Sequence, residues 1–200
     1  MKGSLIIIAF FIIGIICGIS HILPLFITSN NISFYVLCGL MFSVGLSIGS
    51  DPQTLKRFKM LNPHLIFLPI MTILGTFAGV TVISLFLHHR NLTDCLAIGS
   101  GFGYYSLSSI FITEYRGAEL GTIALLSNII REIITLICAP LLVRWFGNLA
   151  PISAGGATTM DTTLPIITRC CGKEFVIISI FHGFIIDFSV PFLVTFFCSI

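Results

Sequence analysis

Charge is what this 200-residue chain has least of: only 9% of its residues are Asp, Glu, Lys or Arg, where an ordinary soluble domain has about a quarter. With 56% hydrophobic residues and a mean hydropathy of +1.08, the sequence reads as an integral membrane protein. It has no soluble domain. The longest polar stretch, "SDPQTLKRFKMLNP" at 50–63, is a short loop whose Lys and Arg suit a solvated anchor. A net charge of +2, with no basic arm and no interleaving of basic and aromatic residues, excludes a nucleic-acid partner. No P-loop, GxSxG or dinucleotide fingerprint occurs, which excludes ATP hydrolysis and the common hydrolase chemistries. The five histidines fall in no metal-ligand spacing, and most sit near the ends of apolar runs. The seven cysteines are odd in number and mostly lie inside apolar runs, so they read as small hydrophobes rather than a disulfide framework. The vicinal pair Cys170 and Cys171 lacks a second pair or a neighbouring His and is read as structural. No metal or cofactor is expected.

What is present is a series of apolar runs. Residues 4–27, 32–50, 65–87, 120–143 and 174–199 each approach the roughly 20 residues needed to cross a hydrocarbon core of about 30 Å. The first run is longer than a signal-peptide core and lacks a small-x-small cleavage site, so it is expected to be a retained helix. Two further segments, 94–113 and 150–168, are as long as a span but crowded with Gly, Ser, Thr and Pro. Unwound backbone survives at membrane depth only where protein or a wet cavity satisfies it, so these segments predict an enclosed polar path. The plainer reading is that their small residues let helices pack closely. The expected fold is therefore an all-α polytopic membrane domain over 1–200, with five transmembrane helices and two broken or re-entrant segments. If both segments re-enter, Lys2, Lys56, Arg57, Lys59, Arg144, Arg169 and Lys173 share the inner side and Arg90 and Arg116 the outer; if both cross, the count is again seven against two. Charge alone leaves five and seven spans open.

An ionisable group in a bilayer costs about 2.5–3.5 kcal/mol on the gentlest scale and usually marks a function or a paired contact. Glu132 is the foremost candidate, too deep in its helix for a short side chain to reach water. Asn128 lies one turn before it on the same face, and Arg131 points about 100° away. A structural network of Glu132 and Arg131 is the alternative. Asp161 in "GGATTMDTTLP" is the second candidate: Thr158, Thr159, Thr162 and Thr163 surround it with hydroxyls, and Gly155 and Gly156 permit turns that expose amides, as in the broken helices of transporters. Asp187 in "HGFIIDFSVP" is a weaker candidate, near a proline kink.

"MFSVGLSIG" at 41–49, "GSGFGYYSLSS" at 99–109, "LLSNIIRE" at 125–132 and "GGATTMDTTLPII" at 155–167, in that order, resemble the lysine exporter LysO family of bacterial inner-membrane proteins. The likeness runs from about residue 35 onward, and its glycine-threonine-aspartate motif is the most specific part. It implies export of L-lysine and its toxic analogues, driven by an ion gradient. Glu132 would be the functional intramembrane carboxylate, and Gly155, Gly156, Thr158, Thr159 and Asp161 would match the polar motif. Family members are commonly longer and begin with a further membrane portion carrying another acidic residue, so the resemblance also implies a separately encoded N-terminal membrane subunit. The expected activity is thus lysine export coupled to protons, the lysine ammonium meeting Glu132 and its carboxylate meeting Arg131 or amides near Gly155. Two alternatives stand beside it: an intramembrane aspartyl protease using Asp161 and Asp187, and a non-catalytic assembly subunit.

Overall fold

In a computed structural model the described residues are 63–87 and 90–200, together with the isolated positions 35, 39, 42 and 46. The chain divides into two units, Met1–Val44 and Gly45–Ile200, and the architecture below is that of the second. The expected spans 4–27 and 32–50, apart from those isolated helical positions, lie outside the described residues, as do Cys17, Cys38, His21 and most of the 50–63 loop.

All regular structure among the described residues is helical. A 3-10 turn at Pro63–Ile66 leads into α1 (Phe67–Ser84). The first broken segment is α2 (Leu92–Gly99) and α3 (Tyr105–Arg116); α4 (Ala118–Phe146) follows. The second is α5 (Ala150–Gly155), a 3-10 turn at Gly156–Met160 and α6 (Leu164–Cys171). A 3-10 turn at Lys173–Phe175 opens α7 (Val176–Ser199). Three helices are long and apolar enough to span a membrane among the described residues: Phe67–Ser84, Ala118–Phe146 and Lys173–Ser199. They match three of the five expected spans.

Both broken segments turn back to the end from which they enter. For the first, Arg116 at the close of α3 pairs with Asp94 in the first turn of α2 at 3.6 Å, and Arg90 just before α2 forms an ion pair with Glu119 just after α3. Arg116 Nε also donates to Cys198 O at 3.1 Å, which brings the last turn of α7 to the same end. For the second, Ile152 of α5 and Ile167 and Cys171 of α6 share one apolar cluster with Leu68, Val143, Phe175 and Ile178. Those four residues are the start of α1, the finish of α4 and the start of α7, which is the opposite end of the bundle. The segments are therefore two hairpins that enter the helix bundle from opposite ends, an inverted pair set between three helices long and apolar enough to span a membrane.

Sequence accounts for the chain reversals. Gly117 and Gly147 bound α4 with φ of +93° and +85°, a left-handed backbone that favours glycine. Gly121 lies so close to Thr113 and the Ser109 carbonyl that a Cβ has no room, which lets α3 fold back tightly on α4. The outer face of α4, Leu126, Ile130, Ile133, Ile134, Ile137 and Leu141, is exposed and suits lipid contact. Its inner stripe, Leu120, Gly121, Ala124, Asn128, Thr135 and Ala139, is buried.

Candidate functional site

The tips of the two hairpins meet halfway along the spans. Ala157 N–H donates to Phe102 O at 2.9 Å, and a Cβ on Gly103 would stand 3.1 Å from Gly155 O. The contact is built from unusual backbone: Phe102 has φ 44°, Gly103 φ 94° and Gly156 φ 63°. A Cβ on Gly156 would overlap the Phe102 carbonyl, so the glycine pair of the motif permits close approach of two unwound chains.

Asn128 holds the first tip. Its Oδ1 accepts from Gly103 N–H at 2.7 Å, and its Nδ2 donates to Ala124 O at 2.9 Å and lies 3.4 Å from both Ile98 O and Ser108 Oγ. The side chain thus satisfies an amide that lipid could not. The motif threonines hold the second tip. Thr158 Oγ1 donates to Gly155 O at 2.9 Å and stands 3.2 Å from Thr163 Oγ1. Thr159 Oγ1 is within 2.8 Å of Gly156 O and 2.9 Å of Ser179 O. Their hydroxyls close the turn on itself and do not point at Asp161, which is exposed and accepts from Thr162 N–H at 2.5 Å. The amides near Gly155 are engaged as well, since Gly156 N–H donates to Ile152 O.

Arg131 joins hairpin to span. Its Nε donates to Ala154 O at 2.9 Å and its Nη2 to Ser153 O at 3.2 Å, the last carbonyls of α5, where a helix end favours a cation. Nη1 reaches Thr76 Oγ1 on α1 at 3.4 Å. The guanidinium lies 5.8 Å from the Phe102 ring centroid, within cation–π range. No carboxylate pairs with it among the described residues. It stands at the inner end of a cleft of about 400 Å³ lined by Thr76, Leu87, Cys95, Ser127 and Asn128 among others. Leu87 and Cys95 belong to the end where α2 begins, so the cleft runs from that end to mid-bundle.

Glu132 is half-buried midway along α4, does not line this cleft and has no hydrogen bond or ion pair among the described residues. The alternative reading, a structural network pairing Glu132 with Arg131, finds no such ion pair among the described residues: each flanks the Asn128–Thr135–Ala139 stripe on its own side, and Arg131 donates to carbonyls and to Thr76.

Two residues gain weight from the geometry. His182, read from sequence with the ordinary interfacial histidines, is fully buried inside α7. Its Nε2 lies 2.9 Å from Thr72 Oγ1 and its Nδ1 3.3 Å from Thr159 Oγ1. Thr159 has one hydroxyl proton, given to a carbonyl, so Nδ1 carries the ring proton and Nε2 accepts from Thr72. This chain ties α1 to the second tip through α7. Gly183 next to it lets the backbone of α7 approach Met160 N, since a Cβ there would stand 2.8 Å away. Asp187, one turn further, is 4% exposed and its Oδ1 has no hydrogen-bond partner. It lies within electrostatic range of Asp161 and of Tyr104. The signal for both is the run "FHGFIID", where His, Gly and Asp interrupt an apolar helix.

Paired inverted hairpins and polar groups at mid-membrane define a helical, multi-pass membrane protein of the transporter type. Residues 8–198 match the family described as lysine exporter LysO, and the chain belongs to that family, one of transporters rather than enzymes. It is 34% identical over 188 residues to lysine exporter LysO of Escherichia coli (strain K12), covering 94% of this chain and 62% of that protein. It is 36% identical over 170 residues to a protein of Haemophilus influenzae (strain ATCC 51907 / DSM 11121 / KW20 / Rd) named "Putative lysine exporter", covering 85% and 86% of the two. The chain therefore spans less than two thirds of the length of the E. coli relative. No solved structure matches it. The family assignment displaces the aspartyl protease alternative.

Proposed function

We propose that this chain is the hairpin-bearing part of a secondary exporter that carries L-lysine out across the bacterial inner membrane. The observation that carries the reading is the meeting of two oppositely inserted hairpin tips at the head of a cleft that ends on Arg131. Such a junction lets a substrate reach mid-membrane from one side while the other is closed. Arg131, unpaired with any carboxylate among the described residues, receives the α-carboxylate of lysine. Glu132, whose carboxyl is likewise unpaired among them and lies outside the lining of this cleft, exchanges a proton for the side-chain ammonium as the substrate leaves the cleft, so that proton entry and lysine exit alternate at one group. Asn128, Gly155, Gly156, Thr158 and Thr159 hold the tips in register, and Asp161 adds negative charge beside them. Arg144, Arg169 and Lys173 sit at the end where α1 begins, and Lys56, Arg57 and Lys59 precede α1 in sequence; the positive-inside rule makes this end cytoplasmic. The cleft then opens outward.

In this proposal the part of the E. coli relative that the chain does not match is supplied by a separate membrane subunit, which copurifies with it in mild detergent. Efflux from lysine-preloaded vesicles, with that subunit co-expressed, is the test. Glu132→Gln is expected to insert normally and to abolish efflux. Wild-type efflux by the Gln variant at matched expression refutes the role of Glu132, and transport that survives neutralising both Glu132 and Asp161 favours an assembly role for the chain.

A further inference from the structure

Asp187 is the buried carboxyl that the export reading leaves unused. It lies in the middle of α7 with 4% of its surface exposed, and no donor meets its Oδ1. The Tyr104 phenol of the first hairpin tip and the Asp161 carboxylate of the second lie within electrostatic range of it; on its own helix, His182 is already engaged with Thr72 and Thr159. No Lys or Arg forms an ion pair with it among the described residues. Pro191, four residues later inside α7, has no N–H to give to the Asp187 carbonyl. One side-chain oxygen of Asp187 thus lacks a partner, and its carbonyl lacks the ordinary helical one.

A carboxyl enclosed in this way needs a counter-charge, and the enclosure limits its size. Lysine has space in the cleft at Arg131, which Asp187 does not line; a proton or a bare metal ion fits where lysine does not. We propose that Asp187, with Asp161 and Tyr104 within electrostatic range, is a second site, separate from the lysine site, that takes a small monovalent coupling cation, H⁺ or Na⁺. The inference rests on the export reading and adds the ion site to it. Because Asp187 lies one turn beyond Gly183, where α7 packs on the second tip, loading and unloading the cation changes the charge next to the junction that separates the two sides of the membrane.

The test uses the exporter, with its co-expressed subunit, in proteoliposomes. Asp187→Asn is expected to lower lysine flux driven by an ion gradient about 5- to 150-fold, the usual span of a coupling effect, while lysine counterflow without a gradient stays at the wild-type rate. Asp187→Glu is expected to keep gradient-driven flux. Driving wild-type flux with a pH gradient in Na⁺-free buffer, then with a Na⁺ gradient at clamped pH, identifies the ion. The Asn variant removes no hydrogen bond seen among the described residues, so its melting temperature should not fall, and the dependence of melting on that ion should disappear. A drop in melting temperature, undiminished gradient-driven flux, or equal loss of driven flux and counterflow overturns the proposal. If wild-type protein moves no lysine, the export reading fails, and ion-dependent melting still decides the cation site: its persistence in Asp187→Asn refutes it.

Discussion

Gly156→Ala is the substitution to which the tip junction should be most sensitive. Gly156 combines φ 63° with ψ −126°, a backbone region open almost only to glycine, and holding another residue there costs about 1–3 kcal/mol. The Cβ would also overlap the Phe102 carbonyl, which accepts the Ala157 N–H at 2.9 Å. Relieving that overlap pulls the bond apart and leaves a buried donor unpaired, a further cost of about 1–3 kcal/mol. The expected loss is about 2–6 kcal/mol, the sum of the two effects. Gly79→Ala is the matched control. It sits inside α1 with nothing within 4 Å of its Cβ position, where alanine is favoured in a helix by about 1 kcal/mol. Unfolding of both variants with SDS in mixed micelles should move the midpoint down for Gly156→Ala and up or not at all for Gly79→Ala. Equal midpoints for the two would refute the tip contact, and with it the argument that the motif glycines exist to let two unwound chains meet.

Asn128→Ala should destabilise by about 1–3 kcal/mol, because the Gly103 amide loses its acceptor, whereas Asn128→Asp keeps Oδ1 and should recover part of that loss; the same unfolding titration measures both. In a cysteine-free background, Asn91→Cys and Ala118→Cys should label from one face of the membrane, and Leu149→Cys and Lys173→Cys from the other. Labelling of positions 91 and 118 from opposite faces would show that the first segment crosses. Thr72→Val removes the donor to His182 Nε2 and should cost about 1 kcal/mol, with transport impaired if the link from α1 to the second tip carries motion as well as stability.

The hairpins were legible because Gly, Ser and Thr have no purpose on a lipid-facing helix, and 94–113 and 150–168 are rich in them. The end of the bundle to which each returns was not. Exchanging Arg116 and Arg144 leaves the charge count unchanged, so the deciding facts are contacts across sequence, Asp94 with Arg116 and Ile152 with Ile167. Spacing placed Asn128, Arg131 and Glu132 around one helix and could not say how each would be used. Asn128 and Arg131 carry several hydrogen-bond donors and find carbonyls or an amide nearby, so the fold absorbs them. Glu132 can only accept, and the tip amides of Gly103, Gly156 and Ala157 already serve other acceptors.

Helix α7 shows why the remaining residues stayed hidden. Periodicity reads a buried face by contrast between apolar and polar residues, and a helix facing lipid on one side and protein on the other has apolar residues on both. The buried stripe of α7 runs Ser179, His182, Gly183, Ile186, Asp187, Val190, Val194 and Cys198, while the exposed positions include Phe188, Phe192 and Phe196. Size and polarity separate the two faces where hydropathy does not: the phenylalanines lie outward at four-residue intervals, and the small and polar residues lie inward. In oil a polar side chain must find protein, so Ser179, His182 and Asp187 by themselves mark the inner face. Of the three, His182 finds partners. Asp187 Oδ1 does not among the described residues, and a buried carboxyl oxygen without a partner is therefore the position in α7 where a ligand from outside the chain has most to contribute.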